Sequence, residues 1–221
     1  MTPEEVLQGL YDETLIGNAP RVLELTQIGL DLDMGPETLL FDALIPSLEE
    51  VGARFERGDF FVPEMLIAGR AMSGALDVLR PLLAETGAET VGTFLMGTVK
   101  GDVHDIGKNL VNIMLEGAGF HVIDLGVQVP PEKFIEAINE HTPDIVGMSA
   151  FLTTTMPMFK ANINALEKAG MRDQVIVMVG GAPVTQEYAD AVGADAYAPD
   201  ASATVKKAKD LIAKRRASVA V

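Results

Sequence analysis

Five short apolar runs alternate with five helix-patterned segments along the later part of this chain, and that alternation restricts the fold more than any other feature. The runs fall at 91–98, 121–125, 144–149, 175–179 and 194–197, and the helical segments at 106–117, 131–140, 155–169, 185–192 and 202–214. Strand followed by helix, repeated, specifies a parallel sheet covered on both faces through right-handed crossovers. A doubly wound five-stranded α/β domain is therefore expected. In such sheets ligands sit beyond the carboxyl ends of the strands, where the strand order reverses. Three unusual loops follow strands here. They are Lys100-Gly101-Asp102-Val103-His104-Asp105-Ile106-Gly107, Ser149-Ala150-Phe151-Leu152-Thr153-Thr154-Thr155 and Gly180-Gly181-Ala182-Pro183. The edge they share is the expected site.

Before residue 83 the pattern is different. Apolar residues recur at helical spacing, as in Leu40, Leu44, Leu48, Val51 and Phe55, with no strand-like alternation. Breaks at Gly17-Asn18-Ala19-Pro20, at Gly35-Pro36 and at 58–63 divide the segment into about four helices, with prolines near their starts. Short connections between such helices predict a small antiparallel bundle. The stretch 83–90, with Glu85, Thr86 and Gly87, is short and polar. It sets the expected domains at 1–86 and 87–221, with Gly87 suited to absorb a backbone rotation between them.

Composition narrows the partners. With 221 residues, 48% of them hydrophobic, the chain can bury a substantial core. Its 32 acidic against 17 basic residues give a net charge of -15, which repels nucleic acid and anionic lipid. Cysteine is absent, which excludes disulfides, thiolate-ligated metal and a cysteine nucleophile. The acidic amino terminus is unlike a signal peptide, and no apolar run approaches the ~20 residues of a membrane span. A cytoplasmic protein is expected.

Of the three histidines, His104 alone lies on the ligand-binding edge, between Asp102 and Asp105. Imidazole beside a carboxylate can serve as a general acid or base, or as a metal ligand whose tautomer the carboxylate fixes; such a pair can also be merely solvated. A conventional metal site needs three or four protein ligands, and a single one suffices only when a macrocycle supplies the rest. His121, opening a strand, and His141, in a turn, receive no role. Gly180-Gly181 is either a plain strand-to-helix turn or a place of close ligand approach, and Thr153 to Thr155 can supply a helix cap.

The motif Asp102-x-His104-x-x-Gly107, within VKGDVHDIGKN, resembles the cobalamin-binding signature of the corrinoid proteins that serve methyltransferases. The resemblance continues through Ser149, Gly180-Gly181 and the tail DAYAPDASATVKKAKD. The segment VGARFERGDFFVPEMLIAGRAM is similar to the helical cap of cobalamin-dependent methionine synthase. It implies a four-helix bundle cap followed by a flavodoxin-like cobalamin-binding domain. It also implies cobalamin as cofactor, passing through methylcobalamin and cob(I)alamin, or a related corrinoid.

By this resemblance the cofactor's nucleotide tail enters the α/β domain and His104 becomes the lower cobalt ligand. Asp102 holds the other ring nitrogen, and Asp105, Ile106 and Gly107 lie along the tail's path. Ser149, Phe151, Thr153 and Thr155 line the third-strand loop, Gly180 and Gly181 admit the tail, and Tyr197 and Asp200 close the far end. Phe55 and Val62 shield the upper face, although apolar residues at helical spacing are also what a bundle core needs. Two positions depart from the family pattern. Phe151 stands where leucine is common, and Thr155 aligns with a serine that extends the His–Asp hydrogen-bond chain.

The implied function is a methyl carrier between a substrate-specific methyltransferase and a second one acting on tetrahydrofolate or a thiol, served by a reductive activase. No barrel of ~250 residues fits in the chain to activate a substrate. A cobalamin sensor is the alternative, but it needs an output module, and no basic recognition helix is present. A carbon-skeleton mutase subunit would not need the cap, and a phosphoacceptor receiver domain would leave His104 unexplained.

Overall fold

The computed structural model describes residues 1–86 and 90–219. They form two compact units, Met1–Thr90 with Glu116–Gly119 and Val91–Leu115 with Phe120–Val221. Gly87, the expected hinge, lies outside the described residues.

The helical unit contains α1 (Pro3–Leu15), α2 (Ala19–Asp31), α3 (Pro36–Leu39), α4 (Ile45–Arg57) and α5 (Val62–Thr86). Thr2 and Glu5 form a reciprocal cap at the start of α1, and Pro3, Pro20 and Pro36 occupy first-turn positions where no backbone donor is needed. Residues Leu40–Leu44 make a π-helical turn joining α3 to α4, with the Ile45 N–H reaching back to the Leu40 carbonyl. Pro46 accounts for it: proline cannot donate to the carbonyl four residues back and crowds it, and a widened turn relieves the clash. α4 ends at Gly58 in the left-handed region, φ +79°. α1 packs on α2 and α4, and α5 on α2 and α4. Leu10, Leu25, Leu44, Met65, Met72 and Leu79 are fully buried between them. The stretch from residue 83, expected to be a linker, stays helical through Thr86 because Leu82, Leu83, Ala84 and Glu85 favour helix.

The other unit has five parallel strands: β1 (Thr93–Thr98), β2 (His121–Asp124), β3 (Ile145–Ser149), β4 (Ile176–Gly180) and β5 (Ala196–Ala198). They are ordered β2-β1-β3-β4-β5, the flavodoxin-like arrangement. Between them run α6 (Ile106–Gly117), α7 (Pro131–His141), α8 (Pro157–Lys168) and α9 (Gln186–Val192), with α10 (Ala201–Val219) last. Leu95, Val146, Met148, Val177 and Val179 face a core built with Phe134 and Ile138 of α7, Phe159 and Ile163 of α8 and Val192 of α9. The intervening strand residues point to the opposite face. Strand order reverses at β1, so the loops after β1 and β3 flank the switch point.

Candidate functional site

At that switch point the chain builds one polar node, the carboxylate of Asp102, which has no solvent exposure. Its Oδ1 accepts from the His104 backbone N–H at 3.0 Å and lies 2.7 Å from His104 Nδ1. Its Oδ2 accepts from the backbone N–H of Phe151 at 2.8 Å and of Leu152 at 3.2 Å, and from the Thr155 hydroxyl at 2.7 Å. Burial by itself disfavours the charged form. The donors from His104, Thr155 and Phe151 outweigh it and hold the carboxyl well below the usual aspartate range. A carboxylate only accepts, so the neutral His104 ring carries its proton on Nδ1 and keeps its lone pair on Nε2. The His104 side chain is 44% exposed.

Local structure explains how the node forms. Gly101 takes φ +86° and lets the chain double back after β1, and the Asp102 N–H bonds to the Val99 carbonyl. Asp105 immediately precedes α6, its carbonyl accepting from Asn109 N–H at 2.7 Å. Thr155 is buried and aimed at Asp102 instead of capping a helix, since α8 starts only at Pro157. Of the two readings open for Thr153 to Thr155, the helix cap is not formed: Met156 stands at the N-cap of α8 with no side-chain cap. Thr153 is exposed on the same turn. The Phe151 ring stacks on His104, with centroids 4.5 Å apart and planes at 26°.

Around His104 the surface is apolar. Val103, Ile106, Val127, Phe151 and Leu152 are exposed, and among the described residues they are all the exposed large hydrophobic side chains of this unit. Such concentration of apolar surface marks a binding face. A side chain built at Gly107 meets no atom within 4 Å, so the start of α6 borders open space.

Strand register sets the remaining residues in line. Thr98 pairs with Ser149, Ser149 with Gly180 and Gly180 with Ala198, one row across the carboxyl edge. Gly181 follows at φ +130°, where an added Cβ would lie 1.9 Å from the Ala150 carbonyl oxygen. Tyr197 is half-buried and its carbonyl accepts from Lys207 Nζ, while Asp200 Oδ1 accepts from the Ala203 N–H at the start of α10. Phe55, near the end of α4, and Val62, opening α5, are half-buried in the helical unit.

Sequence reasoning missed several contributors. Thr98 donates to the His104 carbonyl at 3.2 Å, and Gln128, at φ +56°, donates its N–H to the Asp102 carbonyl. Lys108 is buried and ion-paired to Asp124, which also accepts from the Gly126 N–H, tying the loop after β2 to α6. A lysine so placed looks like a surface residue in sequence, and only the tertiary fold brings it to Asp124. Among the described residues no cluster of three or more His, Asp or Glu is able to hold a metal ion, and no helix is long and apolar enough to cross a membrane.

This geometry matches known proteins over nearly the whole chain. Residues 92–207 and residues 6–80 each match a B12 binding domain family. The dimethylamine corrinoid protein of Methanosarcina barkeri is 42% identical over 96% of this chain and 100% of its own length. Trimethylamine corrinoid protein 1 of Methanosarcina acetivorans is 38% identical over 95% of this chain and 98% of its own. Among solved structures, the methanol:cobalamin methyltransferase complex of M. barkeri matches with a TM-score of 0.84 and 29% identity, covering 95% of this chain and 80% of that one. The monomethylamine corrinoid protein of M. barkeri matches with a TM-score of 0.54 and 32% identity, covering 95% and 100%. A flavodoxin-like sheet following a helical bundle, both recognisable as B12-binding domains, defines a corrinoid-binding protein. The chain belongs to the family of corrinoid proteins of methyltransferase systems. Its cofactor is a cobalamin or related corrinoid.

Proposed function

We propose that this chain is a methyl carrier in which His104 is the lower axial ligand of the corrinoid cobalt. The single observation that carries the reading is the imidazole fastened through Nδ1 to buried Asp102, with Nε2 uncommitted in the middle of an apolar edge. One protein nitrogen is enough where a macrocycle supplies the remaining nitrogen ligands. The residues also fit the bulk of the group. Open space borders Gly107, and small residues at Ser149, Gly180 and Ala198 border the carboxyl edge where the nucleotide tail would enter.

The bound corrinoid supplies the methyl-accepting and methyl-donating chemistry. The protein's own part is to hold and shield it. Asp102 fixes the His104 tautomer and Thr155 fixes Asp102, as a carboxylate behind a ligating histidine does elsewhere. Ser149, Gly180 and Gly181 receive the tail, with Asp105, Ile106, Thr153, Tyr197 and Asp200 around its path, and Phe55 and Val62 exclude water from the upper face. The domains proposed for these tasks are 1–86 and 87–221. Partners are a substrate-specific methyltransferase, a second methyltransferase acting on tetrahydrofolate or a thiol, and a reductive activase, all in the cytoplasm. Identity of 42% to a dimethylamine corrinoid protein favours a methylamine as the donor.

Electron paramagnetic resonance of the cobalt(II) protein, prepared with nitrogen-15 histidine, tests the ligand. The expected spectrum shows axial coupling to the labelled imidazole nitrogen. Coupling to the unlabelled benzimidazole nitrogen would overturn the assignment of His104.

A further inference from the structure

The Phe151 ring stacks on His104, the residue proposed as the cobalt ligand. Both side chains are substantially exposed, and an exposed aromatic pair with free backbones would not persist. Here neither backbone is free. Asp102 Oδ1 takes the His104 backbone N–H and ring Nδ1, and Asp102 Oδ2 takes the Phe151 backbone N–H. One buried carboxylate therefore suspends the imidazole and the ring that covers it from loops following different strands. The Nδ1 hydrogen bond restrains one edge of the imidazole but still allows it to rock about the line through that bond. A flat partner 4.5 Å away and inclined by only 26° blocks rocking toward its side.

We infer that Phe151 is a positioning residue for His104: together with Asp102 it confines the imidazole to one orientation, so that Nε2 meets the cobalt without first losing rotational freedom. This rests on His104 being the lower ligand. Preorganisation of this kind acts on the coordination equilibrium, because an unstacked ring must be ordered when it binds. Leucine, common at this place in the family, has no flat face to offer the ring.

The test compares the wild type with Phe151→Leu, Phe151→Ala and Phe151→Tyr. In the ligand-free protein, nuclear magnetic resonance of labelled histidines reads the ring-current shift and order of His104, with His121 and His141 as internal references. In the cobalamin-loaded cobalt(II) protein, electron paramagnetic resonance reads the ratio of imidazole-coordinated to uncoordinated cobalt. Phe151→Leu and Phe151→Ala are expected to abolish the ring-current shift, loosen the ring and lower that ratio about three- to tenfold, while still retaining the cofactor. Phe151→Tyr should restore all three signals. An unchanged ring order and an unchanged coordination ratio in Phe151→Ala would overturn the inference. If wild-type protein shows no imidazole coupling, the His104 assignment itself fails, an outcome separable from the first because it needs no variant. The exposure of Phe151 makes loss of folding an unexpected result, and the leucine variant guards against it.

Discussion

Gly181→Ala is expected to destabilise the α/β unit by about 3–5 kcal/mol, from two separate backbone costs that act together. The first is conformational. At φ +130° the residue occupies a region that L side chains rarely adopt, and glycine enters it freely. The second is steric. The new Cβ would sit 1.9 Å from the Ala150 carbonyl oxygen and 2.9 Å from its carbonyl carbon, both backbone atoms that cannot swing aside. Moving Ala150 would also disturb the bond from its N–H to the Gly180 carbonyl, and with it the loop that bears Phe151.

Two comparisons separate these causes. Gly58→Ala meets no atom within 4 Å and carries only the left-handed backbone cost, about 1–2 kcal/mol. Gly180→Ala brings its Cβ no closer than 3.4 Å to the Ala198 oxygen, and its effect on the ligand-free protein is expected to stay within about 1 kcal/mol. Native-state hydrogen exchange read unit by unit measures all three, with the α4 amides reporting on Gly58→Ala and the β3 and β4 amides on the other two. If Gly181→Ala proves no worse than Gly58→Ala, the close approach to Ala150 is relieved by a shift that the structure does not show.

Much of this architecture is visible in the amino-acid order because local and global preferences agree. The five apolar runs became five strands, displaced by at most two residues at their starts, since each is bounded by a turn signal and followed by a helix-patterned segment. α6 falls on 106–117 as expected. His104 was findable because a lone histidine on a loop at a switch point is chemically conspicuous. What escaped depends on atoms far apart in the chain. The π turn at Leu40–Leu44 is invisible to apolar periodicity, because Leu40, Leu44 and Leu48 repeat equally well through a widened turn; the signal was Pro46. The destination of the Thr155 hydroxyl required knowing that Asp102, 53 residues earlier, lies beneath it. In the sequence Phe151 stood out only as a departure from leucine, and it takes the folded loops, held by the shared carboxylate, to lay its ring on His104.

Asp102→Asn is expected to lower the stability of the α/β unit by about 3 kcal/mol at neutral pH, through donors left facing a donor. Asparagine has nearly the same shape but only one acceptor oxygen. With that oxygen toward His104, its amino group faces the N–H groups of Phe151 and Leu152; turned around, it faces the His104 N–H. Either orientation strands at least one buried donor and removes the charge that strengthened every bond to it. The effect has a definite pH dependence. The native carboxyl holds its proton far more weakly than a free aspartate, whose pKa is about 3.9, so the unfolded chain binds the proton first as pH falls. The advantage of aspartate over asparagine is thus complete above about pH 5 and shrinks steadily below pH 4. Native-state hydrogen exchange of the β1 and β3 amides in the full-length chain resolves this unit from the helical one. A difference between the two proteins that stays constant from pH 7 to pH 3 would mean that Asp102 is not the ionised clip joining the His104 and Phe151 loops.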